Sequence, residues 1–158
     1  MPELNDLAPD FNLKDQDGNT KALKDFAGNW LVLYFYPKDD TPGCTTEACN
    51  FRDARDDIVK LNDTVIIGIS KDSVASHAKF AKKYGLNFKL LSDPDHKIIE
   101  TYNSWGKKKF MGREFTGTLR NTFLISPEGL IVKEYLGVNP KQHSSEIIRD
   151  LKTLQQTN

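Results

Sequence analysis

The fold is decided by residues 31–49, LVLYFYPKDDTPGCTTEAC. Residues 31–36 form a continuous apolar run, which is typical of a strand buried on both faces. Pro37 ends this strand, because proline has no N–H to donate to a sheet. A helix is predicted from about Pro42 to Leu61, since apolar side chains recur there at helical spacing. Its predicted inward face consists of Cys44, Ala48, Phe51, Ala54, Ile58 and Leu61.

The chain after this helix predicts a second strand and a second helix. Residues 64–70, TVIIGIS, form another apolar run and predict a second buried strand. Asp72 or Ser73 is a suitable N-cap for the helix that follows. That helix is expected to run to Tyr84, with Gly85 closing it.

The next segment gives weaker signals. A short strand is predicted at 88–91 and a helix near 95–102. Residues 103–118 have no clear periodicity, so we expect them to form the longest loop. The basic run Lys107–Lys109 lies within them and is expected to be solvated.

The two ends of the chain complete the predicted architecture. Residues 121–126 and 130–136 predict a hairpin around the turn Pro127-Glu128-Gly129, and a last helix runs from about 140 to 154. Residues 10–27 are expected to be a polar entry segment with a turn at Gln16–Asn19. This order predicts a single α/β domain over residues 1–158, with a mixed central sheet flanked by helices.

Charge and hydropathy exclude several functional classes. Lys plus Arg is 22 and Asp plus Glu is 22, so the chain lacks the basic excess with which proteins bind nucleic acid. No stretch approaches the roughly 20 apolar residues of a membrane span. Residues 1–20 contain no apolar core of signal-peptide length. We therefore expect a cytoplasmic protein that binds neither nucleic acid nor membrane.

The position of Cys44 favours a reactive thiol. It lies where a buried strand has ended and a helix begins. The start of a helix presents free N–H groups and partial positive charge, and both favour a thiolate. In a reducing cytosol two cysteines are more often catalytic, metal-binding or inert than a permanent disulfide. Metal binding fits poorly, because His77, His96 and His143 are scattered without ligand spacing, so we expect neither a metal nor another cofactor.

Several motifs resemble those of the peroxiredoxins. Pro37, Thr41 and Cys44 match the family motif P-x-x-x-T-x-x-C, and Cys49 matches the bacterioferritin-comigratory-protein or Q-type branch. Arg120, within GTLRNTFLI, matches an arginine that the family brings to its active site. The segments APDF (8–11) and SDPDH (92–96) also resemble this branch, whereas Ser126 and residues 113–115 depart from it. The resemblance covers nearly the whole chain and implies a thioredoxin-like fold.

The resemblance also implies an activity, that of an antioxidant thiol-dependent peroxidase acting on hydrogen peroxide and organic hydroperoxides. In this family scheme Cys44 is the peroxidatic cysteine and is oxidised to a sulfenic acid. Cys49 then resolves the sulfenic acid by forming an intramolecular, redox-active disulfide. Thioredoxin or glutaredoxin is the implied reductant, and a monomer is the implied state.

Physical chemistry assigns roles to the neighbouring residues of the motif. Arg120 supplies a permanent charge and fixed donors for the sulfur and for the leaving oxygen. The Thr41 hydroxyl can accept one hydrogen bond while donating another, which suits holding a peroxide in line. The backbone N–H of Gly43 can add a donor, and Pro37 can shield the sulfur from water. By resemblance, Glu47 orients the arginine.

Two other functions remain open from the sequence. One is a redox-silent thioredoxin-like interaction module with inert cysteines. The other is a thiol–disulfide oxidoreductase or redox sensor that acts on proteins, although the usual C-x-x-C motif of that class is absent.

Helical geometry makes a prediction about the two cysteines. Residues five apart on an α-helix have Cα atoms about 8.7 Å apart. A disulfide usually requires Cα atoms within about 6.8 Å. A bond between Cys44 and Cys49 therefore requires the helix to unwind locally, between about Cys44 and Phe51.

Overall fold

Residues 4–156 are described by the computed structural model, and their central sheet has seven strands. A separate hairpin supplies two more strands. The strands are β1 (Asn12–Lys14), β2 (Thr20–Ala22), β3 (Leu31–Phe35), β4 (Val65–Ser70), β5 (Lys89–Ser92), β6 (Trp105–Phe110), β7 (Arg113–Thr118), β8 (Thr122–Ile125) and β9 (Ile131–Tyr135). The helices are α1 (Pro42–Val59), α2 (Val74–Tyr84), α3 (Lys97–Thr101) and α4 (His143–Gln156).

The central sheet is mixed and has the strand order β2-β1-β5-β4-β3-β8-β9. Strands β3, β4 and β5 are parallel to one another. The outer strands β8, β9, β1 and β2 add to them in antiparallel pairings. This arrangement confirms the predicted α/β fold with a mixed sheet flanked by helices.

Strand β3 lies inside the sheet and is buried on both faces, as its apolar run predicts. Alternate side chains enter two separate apolar clusters. Val32 and Tyr34 pack in the cluster that contains residues of α1, α2 and α4. Leu31, Leu33 and Phe35 pack in the cluster on the other face, which contains residues of α3. The end of β3 is therefore fixed from both sides, and the turn that follows it begins at a rigid position.

Helix α1 presents the predicted face to the core. Four residues of this face are buried: Cys44, Ala48, Phe51 and Ile58. Ala54, which is partly exposed, packs against the same cluster. The helix ends at Val59, two residues before the predicted end. The chain then turns into β4 through Asn62 and Asp63, which have positive φ angles of 56°.

The predicted ends of α2 are confirmed. Ser73 has an extended backbone, and its hydroxyl accepts a hydrogen bond from the Ser76 N–H at 3.1 Å. Gly85 adopts the left-handed conformation, with φ of 61°, and closes the helix.

The prediction of a loop over residues 103–118 is wrong. These residues contain the antiparallel hairpin β6–β7, whose strands pair in register from Trp105 with Thr118 to Phe110 with Arg113. Met111 and Gly112 form its turn and both have positive φ angles. Most side chains of the hairpin are exposed, so it lacks the apolar alternation by which a half-buried strand is recognised. The polar segment 10–27 likewise contains the paired strands β1 and β2.

Within residues 4–156, no helix combines the length and the apolar character needed to cross a bilayer.

Candidate active site

The candidate site begins where the turn after β3 enters α1. Thr41 is the N-cap of α1 and has an extended backbone, with φ of −102°. Its carbonyl accepts the Thr45 N–H at 2.8 Å, which is the first hydrogen bond of the helix. Cys44 lies in this first turn, and only 1% of it is exposed. The predicted location of Cys44 at a helix start is confirmed.

Arg120 reaches Cys44 from a distant part of the chain. It lies between β7 and β8, and its Nη2 donates to Cys44 Sγ at 3.4 Å. Its Nη1 donates to Glu47 Oε1 at 3.0 Å. Burial alone would lower the pKa of Arg120, but the charges and hydrogen bonds of Cys44 and Glu47 together raise it. The structure thus brings Arg120 and Glu47, which the family resemblance assigns to the site, together with Cys44.

Glu47 is the unusual acid of the site. Its side chain is 1% exposed, and burial raises its pKa to about 7 although the neighbouring Arg120 favours the ionised form. Among the described residues its second oxygen, Oε2, has no hydrogen-bond partner. A carboxyl group in this environment changes its charge near neutral pH.

Gly43 makes room for the guanidinium. A Cβ atom at this position would lie 3.0 Å from Arg120 Nη2 and 3.8 Å from Pro140 Cγ. A side chain larger than hydrogen at this position would therefore crowd the guanidinium and require it to shift. Sequence reasoning assigned Gly43 only as a backbone donor, and this clearance adds a second reason for glycine here.

Thr41 and Pro37 flank the turn before α1. The Thr41 hydroxyl makes no helix cap and instead donates to the Lys38 carbonyl at 2.9 Å. Because this bond uses its one proton, the hydroxyl oxygen is left to act as an acceptor. Pro37 directly follows the buried Tyr36 and is itself half-buried.

Cys49 lies on the same helix as Cys44 and is partly exposed. Both are free thiols, and the helix between them is continuous. Asn50, the next residue, donates to the carbonyls of Pro140 and Lys141 at 3.1 and 3.4 Å. These two hydrogen bonds fix the first half of α1 to the segment that precedes α4.

Two residues near the site were missed by sequence reasoning. Lys108 was assigned to a solvated basic loop, but it lies on β6, and its Nζ donates to the Thr118 carbonyl at 2.8 Å. Burial lowers the pKa of Lys108, as does the charge of Arg120, while Cys44 acts in the opposite direction. Lys107 and Lys109 on either side are exposed, but three consecutive lysines show no alternation in the sequence, so no sequence signal marked the inward one.

Tyr34 is the second missed residue. Its hydroxyl is buried without a hydrogen-bond partner among residues 4–156. Burial raises the pKa of Tyr34, and the negative charges of Glu47 and Cys44 raise it further. The sequence signal for Tyr34 was its position in the apolar run of β3, where alternate side chains lie on the face toward α1.

A cleft of about 650 Å³ opens beside Arg120. Its walls include the apolar residues Leu119, Leu136 and Val138, together with the cations Lys108 and Arg120. The cleft is therefore apolar in part, and its charged lining consists of two cations, Lys108 and Arg120, and one carboxylate, Glu134.

The histidines make structural contacts. His143 Nε2 lies 2.8 Å from Thr122 Oγ1 in the core, and burial lowers the pKa of this histidine. The His96 ring stacks on Trp105 at 4.0 Å. In the described part of the chain, no cluster of three or more His, Cys, Asp or Glu residues is placed to hold a metal ion.

Comparison with known proteins gives consistent matches. Residues 4–134 match the model of the AhpC/TSA family. The chain is 48% identical to peroxiredoxin Bcp of Bacillus subtilis, with 96% of each chain covered. It is 43% identical to peroxiredoxin Bcp of Escherichia coli, covering 93% of this chain and 94% of the relative.

Solved structures of similar proteins also match this chain. The bacterioferritin comigratory protein of Xanthomonas campestris, studied for its alkyl peroxide reduction activity, superposes with a TM-score of 0.88. It is 36% identical, and 98% of each chain is covered. A peroxiredoxin Q of Xylella fastidiosa superposes with a TM-score of 0.90 at 32% identity, covering 97% of each chain. These matches confirm the thioredoxin-like fold that the resemblance implies.

Replacing Glu47 with glutamine tests the raised pKa. The folded protein keeps a proton on Glu47 up to about pH 7, whereas the unfolded chain loses it near the ordinary value of 4.5. Stability from this group is thus fully present below pH 4.5 and is lost as the pH rises to about 7. The quantity to follow is the free energy of unfolding of the parent minus that of Glu47→Gln. This difference should fall by roughly 3 kcal/mol between pH 4.5 and about pH 7.

Urea unfolding of both proteins in a series of buffers measures this difference. Glu128→Gln, which removes one exposed carboxylate from the β8–β9 turn, is the matched control. A parent–variant difference that stays constant or grows with pH would contradict the raised pKa.

Proposed function

Since the chain belongs to the AhpC/TSA family and is a peroxiredoxin, a thiol peroxidase, we propose that Cys44 is its peroxide-reducing thiol. The observation that carries this proposal is the 3.4 Å contact between Arg120 Nη2 and Cys44 Sγ. A guanidinium held against a buried sulfur stabilises the thiolate, which is the reactive form. If the protein were an inert interaction module, nothing would explain why Arg120 contacts Cys44 at the start of a helix.

The proposed first step is a displacement at oxygen. The Cys44 thiolate attacks the terminal peroxide oxygen, so that a sulfur–oxygen bond forms and the oxygen–oxygen bond breaks. The electron pair of the broken bond leaves with the second oxygen, which takes a proton from solvent and becomes water or an alcohol. Cys44 is left as a sulfenic acid.

The neighbouring groups supply transition-state stabilisation in this proposal. Negative charge grows on the leaving oxygen, and Arg120 is a permanent cation beside it. The Thr41 hydroxyl already donates to the Lys38 carbonyl, so it is free to accept the peroxide O–H and hold the peroxide in line. The N–H groups of Gly43 and Cys44, in the first turn of α1, can donate to the peroxide.

Three further residues support the reacting groups. Glu47 holds the far side of the Arg120 guanidinium, which supports its proposed orienting role. Gly43 leaves the space that Arg120 occupies. Pro37 has no N–H and borders the turn, consistent with shielding the sulfur from water.

The proposed second step resolves the sulfenic acid within the chain. The Cys49 thiol attacks the Cys44 sulfur, a disulfide forms, and the sulfenic oxygen leaves as water. A dithiol protein, thioredoxin or glutaredoxin, then reduces the disulfide by exchange and is itself oxidised. The partial exposure of Cys49 supports attack by an external thiol once the helix has opened.

Packing sets limits on how far the helix opens. Phe51 is fully buried and packs against Tyr34, with ring centroids 4.8 Å apart. Unwinding past Phe51 would expose this aromatic side chain to water, at a cost of about 3 kcal/mol or more. We therefore propose that the segment that unwinds lies between Thr41 and Asn50.

The cleft beside Arg120 supports organic hydroperoxides as substrates in addition to hydrogen peroxide. Leu119, Leu136 and Val138 provide an apolar wall for an alkyl chain. The alkyl peroxide reduction studied in the Xanthomonas campestris relative is consistent with this substrate class.

The organisation of the protein is also part of the proposal. The seven strands of the central sheet come from both ends of the described chain, from β1 at residue 12 to β9 at residue 135, which supports a single thioredoxin-like domain. We propose that the chain acts as a monomer. A reducing compartment such as the cytoplasm would keep thioredoxin and glutaredoxin active, and this location stays a prediction.

Replacement of each cysteine tests the two roles. Cys44→Ser should abolish peroxide reduction, because the hydroxyl cannot form a sulfenic acid. Cys49→Ser should react once and then stall as a sulfenic acid that a dimedone-type probe labels at Cys44. The measurements are hydrogen peroxide consumption with a thioredoxin system or a glutaredoxin system, and mass spectrometry. Parental peroxide consumption by Cys44→Ser would refute the first role, and parental turnover of Cys49→Ser would refute the second.

Hydrogen exchange tests the unwinding of α1. In the disulfide form, amides 45–50 should exchange faster than in the dithiol form, because their helical hydrogen bonds are broken. Amides 55–59, in the second half of the same helix, are the internal control and should keep their protection. Equal protection of amides 45–50 in both forms, with the disulfide verified by mass, would rule out this switch.

A further inference from the structure

A buried hydrogen-bond network lies beside the turn that precedes α1, and no step above uses it. At its centre is the Asp39 carboxylate. Oδ1 accepts the Tyr36 hydroxyl at 2.6 Å, and Oδ2 accepts the Ser76 hydroxyl at 2.8 Å. His77 Nδ1 lies 2.7 Å from the same Oδ2. The His77 side chain is fully buried and that of Asp39 is 4% exposed, so this network, the Asp39–His77 anchor, is held in one arrangement.

Each ring nitrogen of His77 has its own partner. Nε2 lies 3.0 Å from the Leu91 carbonyl oxygen, which can only accept a hydrogen bond, so Nε2 is the donor of this contact. On the other side of the ring, Nδ1 contacts Asp39 Oδ2. His77 thus joins β5 to the turn that precedes α1.

The anchor reaches the proposed peroxide site through one peptide group. The Asp39 N–H donates to Asp72 Oδ2 at 2.9 Å. The carbonyl of the same peptide group belongs to Lys38 and accepts the Thr41 hydroxyl at 2.9 Å. The orientation of this peptide plane therefore sets the direction of the Thr41 O–H bond, and hence of the lone pairs left to accept a peroxide.

From these contacts we propose that His77, acting through Asp39, is a positioning residue for peroxide reduction. By holding Asp39 in place it fixes the Lys38–Asp39 peptide, and this peptide aims the Thr41 hydroxyl. The inference rests on the proposed function, since it assigns the Thr41 hydroxyl as the acceptor of the peroxide. A misplacement of about 1 Å at such a group can reduce a rate about 100-fold.

Two substitutions of His77 separate its two hydrogen bonds. The amide nitrogen of asparagine lies at about the reach of Nδ1, so His77→Asn can still donate to Asp39. The amide nitrogen of glutamine lies at about the reach of Nε2, so His77→Gln can still donate to the Leu91 carbonyl but not to Asp39. His96→Gln, which changes a histidine outside the anchor, is the matched control.

The experiment compares two reactions of Cys44 in the full chain, followed by stopped flow and mass spectrometry. Oxidation by hydrogen peroxide requires the aligned turn, whereas alkylation by iodoacetamide requires only an accessible thiolate. His77→Gln should lower the peroxide rate constant about 10-fold or more while the alkylation rate changes less than about 2-fold. His77→Asn should stay within about 3-fold of the parent for both.

Two results would overturn the proposal: an unchanged peroxide rate in His77→Gln, or equal losses in both reactions. If His77→Gln does not unfold cooperatively, Ser76→Ala takes its place, because it removes one bond to Asp39 and leaves His77. It should lower the ratio of the two rates about 2- to 10-fold, and an unchanged ratio would overturn the proposal. A parent that forms no sulfenic acid at Cys44 refutes the proposed function instead.

Discussion

A single guanidinium, that of Arg120, faces two buried groups that can each become negative. The Cys44 thiol and the Glu47 carboxyl are both 1% exposed, and both contact Arg120. If both were ionised, one buried negative charge would lack a balancing cation in this contact, which is costly. Burial raises the pKa of Glu47 to about 7, so near neutral pH this acid can hold a proton and leave the charge of Arg120 to the sulfur. The carboxyl group can then orient the guanidinium without always competing for it.

The fold holds this contact through the neighbours of β3. Strand β8 pairs with β3 so that Thr122 lies opposite Tyr34, which brings Arg120 to the end of the sheet where α1 begins. The loop that carries Arg120 is fixed by its own backbone, because the Arg120 carbonyl accepts the Val138 N–H at 2.9 Å. On the other side, the turn after β3 is held by the Asp39–His77 anchor. Rigid attachment on both sides suits a site that must stabilise charge without rearranging.

Local signals predicted the parts of the fold that depend on local physics. The apolar run of β3, the helical spacing of α1 and the Gly85 cap of α2 were visible in the sequence. The hairpin β6–β7 was not, because its order comes from backbone pairing around a tight turn while most of its side chains are exposed. Cys44 and Arg120 were identified by their resemblance to a family motif.

Other features depend on three-dimensional distance, which no spacing in the sequence encodes. The need for clearance at Gly43 exists only because Arg120 reaches it from the segment between β7 and β8. The raised pKa of Glu47 follows from its burial, which its place in the sequence does not predict. Asp39 and His77 are 38 residues apart and meet through the packing of α2 on the sheet.

The most direct test of the central claim is the rate of peroxide reduction per thiolate in Arg120→Met, obtained by dividing the stopped-flow rate constant by the thiolate fraction from ultraviolet absorbance. The account predicts that this corrected rate falls about 100-fold or more, because Arg120 also stabilises the charge on the leaving oxygen. A corrected rate equal to that of the parent would contradict it.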